Sequence, residues 1–130
     1  MITNVLLLSI FSIICLPSVA QEEIPVEIIE SLKSGNAKIL SAYFNQNVEL
    51  QILEEVNSYS RAQAQQIINK FFSDYQPQEF TIIQQSPQGG PRYIIGSLKT
   101  KKRTFRVYVL LKKDKDKIFI HKLSFLKPLG

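Results

Sequence analysis

Residues 93–113 read YIIGSLKTKKRTFRVYVLLKK, and their alternation decides the fold class. Ile94, Gly96 and Leu98 alternate with Tyr93, Ile95 and Ser97. Beyond Lys101-Lys102, Phe105, Val107, Val109 and Leu111 alternate with Arg106, Tyr108 and Leu110. A period of two marks β-strands, whose successive side chains point to opposite faces. A two-residue turn at Lys101-Lys102 pairs Leu98 with Phe105, Gly96 with Val107 and Ile94 with Val109. One face of this hairpin is then continuous and apolar and needs a cover. The reverse face carries Tyr93, Ile95, Ser97, Arg106, Tyr108 and Leu110. It is half apolar, where an antiparallel sheet commonly turns a polar face to water.

Further β-rich runs flank this hairpin at residues 80–85 and 118–126, separated from it by Ser86–Pro91 and Asp114–Asp116. Consecutive strands with short links predict an antiparallel meander. Helical spacing dominates upstream. Residues 24–34 predict a helix with Pro25 in its first turn and Gly35 as its stop. Asn36 caps a second helix bearing Ile39, Leu40, Tyr43 and Phe44. Residues 47–53 alternate as a half-buried strand, with a brief return strand at Val56–Tyr59. Ser60 and Gln63 form a capping-box pattern that opens a helix over 61–72, with Ala64, Ile67, Ile68 and Phe71 on one face. The order is helix, helix, strand, short strand, helix, then four strands. This is an α+β domain, and no repeat or linker divides it.

The N-terminus has a different character. Residues 5–16 (VLLLSIFSIICL) are apolar, Pro17 breaks the run, and Ser18-Val19-Ala20 fits a signal-peptidase site. The run is about 12 residues, short of the roughly 20 that cross a ~30 Å bilayer. Residues 1–20 are therefore expected to be a cleaved signal peptide and residues 21–130 a single exported domain. Ile14 before Cys15 argues against lipid attachment, which needs a small residue there. Cys15 is the only cysteine, so the mature chain is expected to have no disulfide, no thiolate chemistry and no Cys-ligated zinc.

Longer words of the sequence carry a family resemblance. LKSGNAKILSAYFNQNVEL (32–50) resembles the helix–helix–strand opening of the nuclear-transport-factor-2-like fold. YSRAQAQQIINKFFSDYQPQEFTII (59–83), the 93–113 segment and IFIHKLSFLK (118–127) resemble small exported bacterial proteins of domain-of-unknown-function family 4783, typical of Bacteroidota. The resemblance implies a curved antiparallel sheet, a cone packed on three helices from the N-terminal half. It also implies a periplasmic or extracellular location in a Gram-negative bacterium. It assigns no activity. Enzymes of the wider fold, such as ketosteroid isomerases, need an Asp base and a Tyr–acid oxyanion pair. Here Asp74, Asp114 and Asp116 all lie beside predicted turns, so no catalytic residue carries over.

The candidate pocket residues inside the cone are Tyr43, Phe44, Ile68, Phe71, Phe105, Val107 and His121. The place of His121 depends on register. A three-residue turn at Asp114–Asp116 pairs Val109 with His121 and puts the imidazole inside, whereas a two-residue turn puts it opposite Tyr108 on the other face. The candidate interface residues are Tyr93, Ile95, Arg106, Tyr108 and Leu110, which would pair two copies through the reverse face. No cofactor or metal is expected, since His121 is the only histidine and carboxylates alone would have to complete a site. Gly89-Gly90 lacks the Lys-Ser/Thr of a phosphate loop, and neither GxSxG nor HExxH occurs.

Charge is uneven: residues 21–75 hold four basic and eight acidic side chains, residues 76–130 twelve and three. The basic excess gathers at two predicted turns, Lys99–Arg103 and Lys112–Lys117. Such turns favour peripheral contact with an anionic surface at most, and no aromatic-basic pattern points to nucleic acid. The leading expectation is an exported non-enzymatic binding or accessory domain that takes a small ligand or partner protein in a pocket or on the sheet. The alternatives are a homodimeric interaction module without a ligand, and an enzyme using a lone His or Tyr in an apolar cone.

Overall fold

The computed structural model describes residues 24–87 and 90–129; the signal peptide expected at 1–20 lies outside them. The elements run α1 (Val26–Ser34), α2 (Ala37–Ala42), β1 (Phe44–Ile52), β2 (Glu55–Ser60), α3 (Arg61–Asp74), β3 (Pro77–Gln85), β4 (Arg92–Thr100), β5 (Thr104–Asp114) and β6 (Lys117–Leu126).

Local chemistry explains the helix ends. Pro25 is the N-cap of α1, one place before the helix begins, and Ile28 and Leu32 point to the core. Gly35 ends α1 at φ +71°, with its N–H on the Ser31 carbonyl, a left-handed conformation that glycine takes without steric cost. Asn36 accepts the Ile39 N–H at 3.0 Å. The box at α3 is complete: Ser60 Oγ accepts the Gln63 N–H, and Gln63 Oε1 accepts the Ser60 N–H, each at 3.3 Å.

One predicted stripe splits. α2 has only six residues, and β1 begins at Phe44 rather than at residue 47. Leu40 and Phe44 are buried, whereas Ile39 is 44 % exposed. The polar Asn45-Gln46-Asn47 lies within the strand, where the ladder to β6 is interrupted and Asn47 pairs with Ser60 of β2. The register jumps from Phe44 opposite Ile120 to Glu49 opposite Lys122.

The sheet order is β2-β1-β6-β5-β4-β3. β3 to β6 form the expected meander, and the β4–β5 register pairs Leu98 with Phe105, Gly96 with Val107 and Ile94 with Val109. The sheet is mixed, because β1 runs parallel to β6. A parallel pair needs a long connection, and the chain between β1 and β6 supplies it.

The last hairpin corrects the placement of His121. The turn has two residues, with Asp114 opposite Lys117 and Leu111 opposite Ile120. A bulge follows: Leu110 faces Lys122, leaving His121 as the extra residue. An extra residue reverses the facing of everything beyond it. Ile118 and Ile120 turn inward before the bulge, Leu123 and Phe125 after it. The strand thereby buries Ile120, Leu123 and Phe125 together, and His121 drops out of the inward set.

That inward set meets the helices. Phe105, Phe125, Leu98 and Val107 of the sheet pack on Ile28, Leu32, Ile68 and Phe71, all but Phe71 fully buried. Each such side chain contributes about 1.5–3 kcal/mol through burial. Gly96 lets the Phe80 ring cross this face. A Cβ there would overlap the Phe80 ring and stand 2.9 Å from the Thr81 carbonyl oxygen. Gly96→Ala is expected to cost ~1–3 kcal/mol by overpacking. Urea unfolding checks this, and the loss should shrink in a Phe80→Leu background because the two side chains share one space.

Candidate functional site

Between α3 and the β1–β2 hairpin runs an open groove of about 620 Å³. Its floor is apolar: Ile52 from β1, Ile67 and Phe71 from α3, and Tyr75 just beyond the helix. Its rim is polar: Glu55 and Tyr59 from β2, and Gln63, Gln66, Lys70 and Asp74 from α3. The spacing explains the assembly. Residues 63, 67, 70 and 74 share one side of α3, while Ala64, Ile68, Phe71 and Phe72 are buried. Glu55 and Tyr59 share one face of β2, opposite Ile52 and Val48 of β1.

A second cavity of about 500 Å³ lies where α2, Pro25 and the start of β6 meet, and Tyr43, Arg61, Ile118 and Phe119 line it. There the Tyr43 hydroxyl donates to Glu27 Oε2 at 3.2 Å. Burial, and then this hydrogen bond and the Glu27 charge, push the phenol above its ordinary 10.0. Arg61 Nε–H donates to the Phe44 carbonyl at 2.9 Å.

The predicted pocket residues therefore do not converge on one space. Phe44, Ile68, Phe105 and Val107 have no exposed surface and form the core. Phe71 faces both the core and the groove, and Tyr43 lies in the second cavity. His121 is half-buried and feels the charges of Lys112 and Asp114. Those two residues continue the Arg106–Tyr108–Leu110 face of β5, so the imidazole is on the outer side of the sheet. The structure thus overturns His121 as a residue inside the cone, and the two-residue turn, in place of a three-residue one, is the reason. Tyr59, Gln66 and Lys70, which the sequence reading did not single out, line the groove instead. Their signal was the second, polar stripe of α3, which looks like any solvated face until β2 is placed beside it.

The predicted interface residues share the outer face. Tyr93, Ile95, Arg106, Tyr108 and Leu110 are all half-buried. The rings of Tyr93 and Tyr108 stack at 6.2 Å, and Gln84 Nε2 donates to the Tyr93 hydroxyl at 3.0 Å. A small cleft of about 150 Å³ beside Ser97 and Arg106 is bordered by Pro128 and Leu129 of the chain's own C-terminus. Among the described residues, no group of three His, Cys, Asp or Glu side chains is placed to hold a metal ion. No described helix is long and apolar enough to cross a membrane.

A curved mixed sheet packed on three helices is the nuclear-transport-factor-2-like fold. An NTF2-like protein of unknown function from Cytophaga hutchinsonii has this fold, with a TM-score of 0.56 at 14 % identity over 77 % of this chain and 82 % of that one. The family model "Domain of unknown function (DUF4783)" matches residues 25–125, and the chain belongs to that family. A DUF4783 family protein from Bacteroides ovatus is similar, with a TM-score of 0.78 and 27 % identity over 83 % of this chain and 98 % of that one. Another from Bacteroides fragilis gives 0.77 and 26 %, over 82 % and 100 %. None of the curated proteins matches the chain.

Burial holds the His121 imidazole below its ordinary 6.5, Lys112 lowers it further, and Asp114 opposes both. An NMR titration should therefore show a midpoint below 6.5. Lys112→Ala should move it up and Asp114→Ala down. Because the folded value is depressed, the unfolded chain takes up the proton first. The contribution of His121 to stability is thus present above pH 6.5 and lost as pH falls below it.

Proposed function

We propose that this chain is an exported, non-enzymatic binding domain that recognises its ligand in the groove between α3 and the β1–β2 hairpin. The groove itself carries this reading. It has the size of a small-molecule site, an apolar floor and a few polar side chains at the rim. It stands on a helix and two strands, elements that hold side chains in place more firmly than loops do. The space inside the cone, where a pocket was expected, holds packed side chains. An enzymatic reading needs an ionisable group facing an apolar chamber. His121 lies on the outer face, and the Tyr43 phenol is made harder to ionise in a separate cavity. Screening small molecules by NMR tests the proposal. Hits should shift the amides of Tyr59, Gln66, Ile67 and Lys70, and Gln66→Trp should abolish binding by filling the groove while the urea midpoint stays unchanged. Hits that cluster elsewhere, or that survive Gln66→Trp, would contradict it.

A specific observation favours a second role, pairing of two copies through the outer face. Among the described residues, Pro128 and Leu129 border the Ser97–Arg106 end of that face. Tyr93, Ile95, Tyr108 and Leu110 stay half-exposed, and Ile83 on the neighbouring strand is 59 % exposed. Contiguous apolar surface of this kind marks partner sites, and a two-fold contact would bury it against itself. Sedimentation at micromolar concentration should give twice the protomer mass, and Tyr108→Glu should return it to the protomer mass.

A further inference from the structure

We infer that the groove takes an amphipathic anion, a molecule with one carboxylate head and a hydrocarbon chain, and that the head sits at the β4–β5 turn. This rests on the groove being the binding site, and it adds the chemistry of what binds.

The turn is built onto the end of the groove. Lys101 N–H donates to the Gln76 carbonyl at 3.1 Å, which ties the turn to the chain just after α3. Thr100, itself only 4 % exposed, accepts the N–H groups of Lys102 and Arg103 at 3.3 and 3.0 Å. The backbone carrying the cations is therefore fixed. Lys102 Nζ stands 5.8 Å from the centroid of Tyr75, a wall of the groove. Arg103 Cζ stands 4.9 Å from the Phe105 ring, which meets Tyr75 edge-on at 4.9 Å. Lys70 lines the groove from the helix side. Both turn cations rest on aromatic faces, contacts that leave their N–H groups available to an anion. Among the described residues, no carboxylate lies within ion-pair distance of Lys70, Lys102 or Arg103. The two turn cations, one of them over a groove residue, lack an anionic partner.

The rest of the ligand follows from the floor. Ile52, Ile67, Phe71 and Tyr75 reward an apolar body at about 25 cal/mol for each Å² removed from water. A small inorganic anion makes no use of them. Glu55 and Asp74 on the same rim oppose a head of high charge, which favours a monoanion over a phosphate monoester, close to a dianion at neutral pH. The charged contacts are open to solvent, so added salt should weaken them.

Three twelve-carbon probes test this on the purified protein: laurate and dodecyltrimethylammonium below their micelle concentrations, and dodecanol below its solubility limit. Laurate should shift the amides of Tyr59, Ile67, Lys70 and Lys102, and should bind at least about tenfold more tightly than dodecanol. The ammonium probe should bind more weakly than either. Lys102→Glu with Arg103→Glu should bring laurate down to the affinity of dodecanol, with the urea midpoint confirming that the variant folds. Equal binding of laurate and dodecanol would overturn the inference and leave the groove reading standing. Shifts confined to residues outside the groove would overturn both. Sedimentation with phosphatidylglycerol vesicles that depends on Lys102 and Arg103, without any groove shift by laurate, would assign the turn to a membrane surface instead and also overturn it.

Discussion

The structure depends on the packing of one ring. Phe71 of α3 lies 4.1 Å from Phe125 of β6 and 5.1 Å from Phe105 of β5, centroid to centroid, and touches Phe72 and Tyr75 on its own side. Losing a buried phenylalanine costs ~3–5 kcal/mol, a large fraction of what a domain of this size has in reserve. This contact joins the helix to the middle of the sheet. It packs the interior of the cone, and the same ring also lines the groove along β2.

Phe125 reaches Phe71 only because β6 is bulged. With a two-residue turn and no bulge, Leu123 and Phe125 would face outward and the cluster would lose a member. The extra residue in that bulge is His121. The bulge therefore completes the aromatic core, while the two-residue turn before it already places the chain's single imidazole on the outer face. Both outcomes bear on function. The interior becomes structural, and the chemistry that a buried histidine might have supplied is moved to the outer face, beside Lys112 and Asp114.

Much of this could be read in the residues. The capping box at Ser60, the stop at Gly35 and the β4–β5 register follow from short-range rules, and the element order predicted the fold. Register errors came where two rules competed. In IFIHKLSFL, Phe119, His121, Leu123 and Phe125 alternate cleanly, and so do Ile118 and Ile120. Only the bulge reconciles the two sets, and a bulge has no sequence mark of its own. The groove was hidden for another reason. Tyr59 and Gln66 are polar positions on separate elements, and they meet only once α3 is placed beside β2. The basic turn was legible as charge, but its seat against Tyr75 was not, because it depends on the Lys101–Gln76 hydrogen bond between distant segments.

The central claim is that the cone is filled and that recognition takes place at its rim. A crystal structure of the protein purified from its native host, with whatever it carries, tests this most directly. The account predicts Phe71 and Phe125 in ring-to-ring contact and any bound molecule between α3 and β2, against Ile67 and Tyr75. A molecule lodged between Phe71 and Phe125, with the rings parted around it, would contradict it.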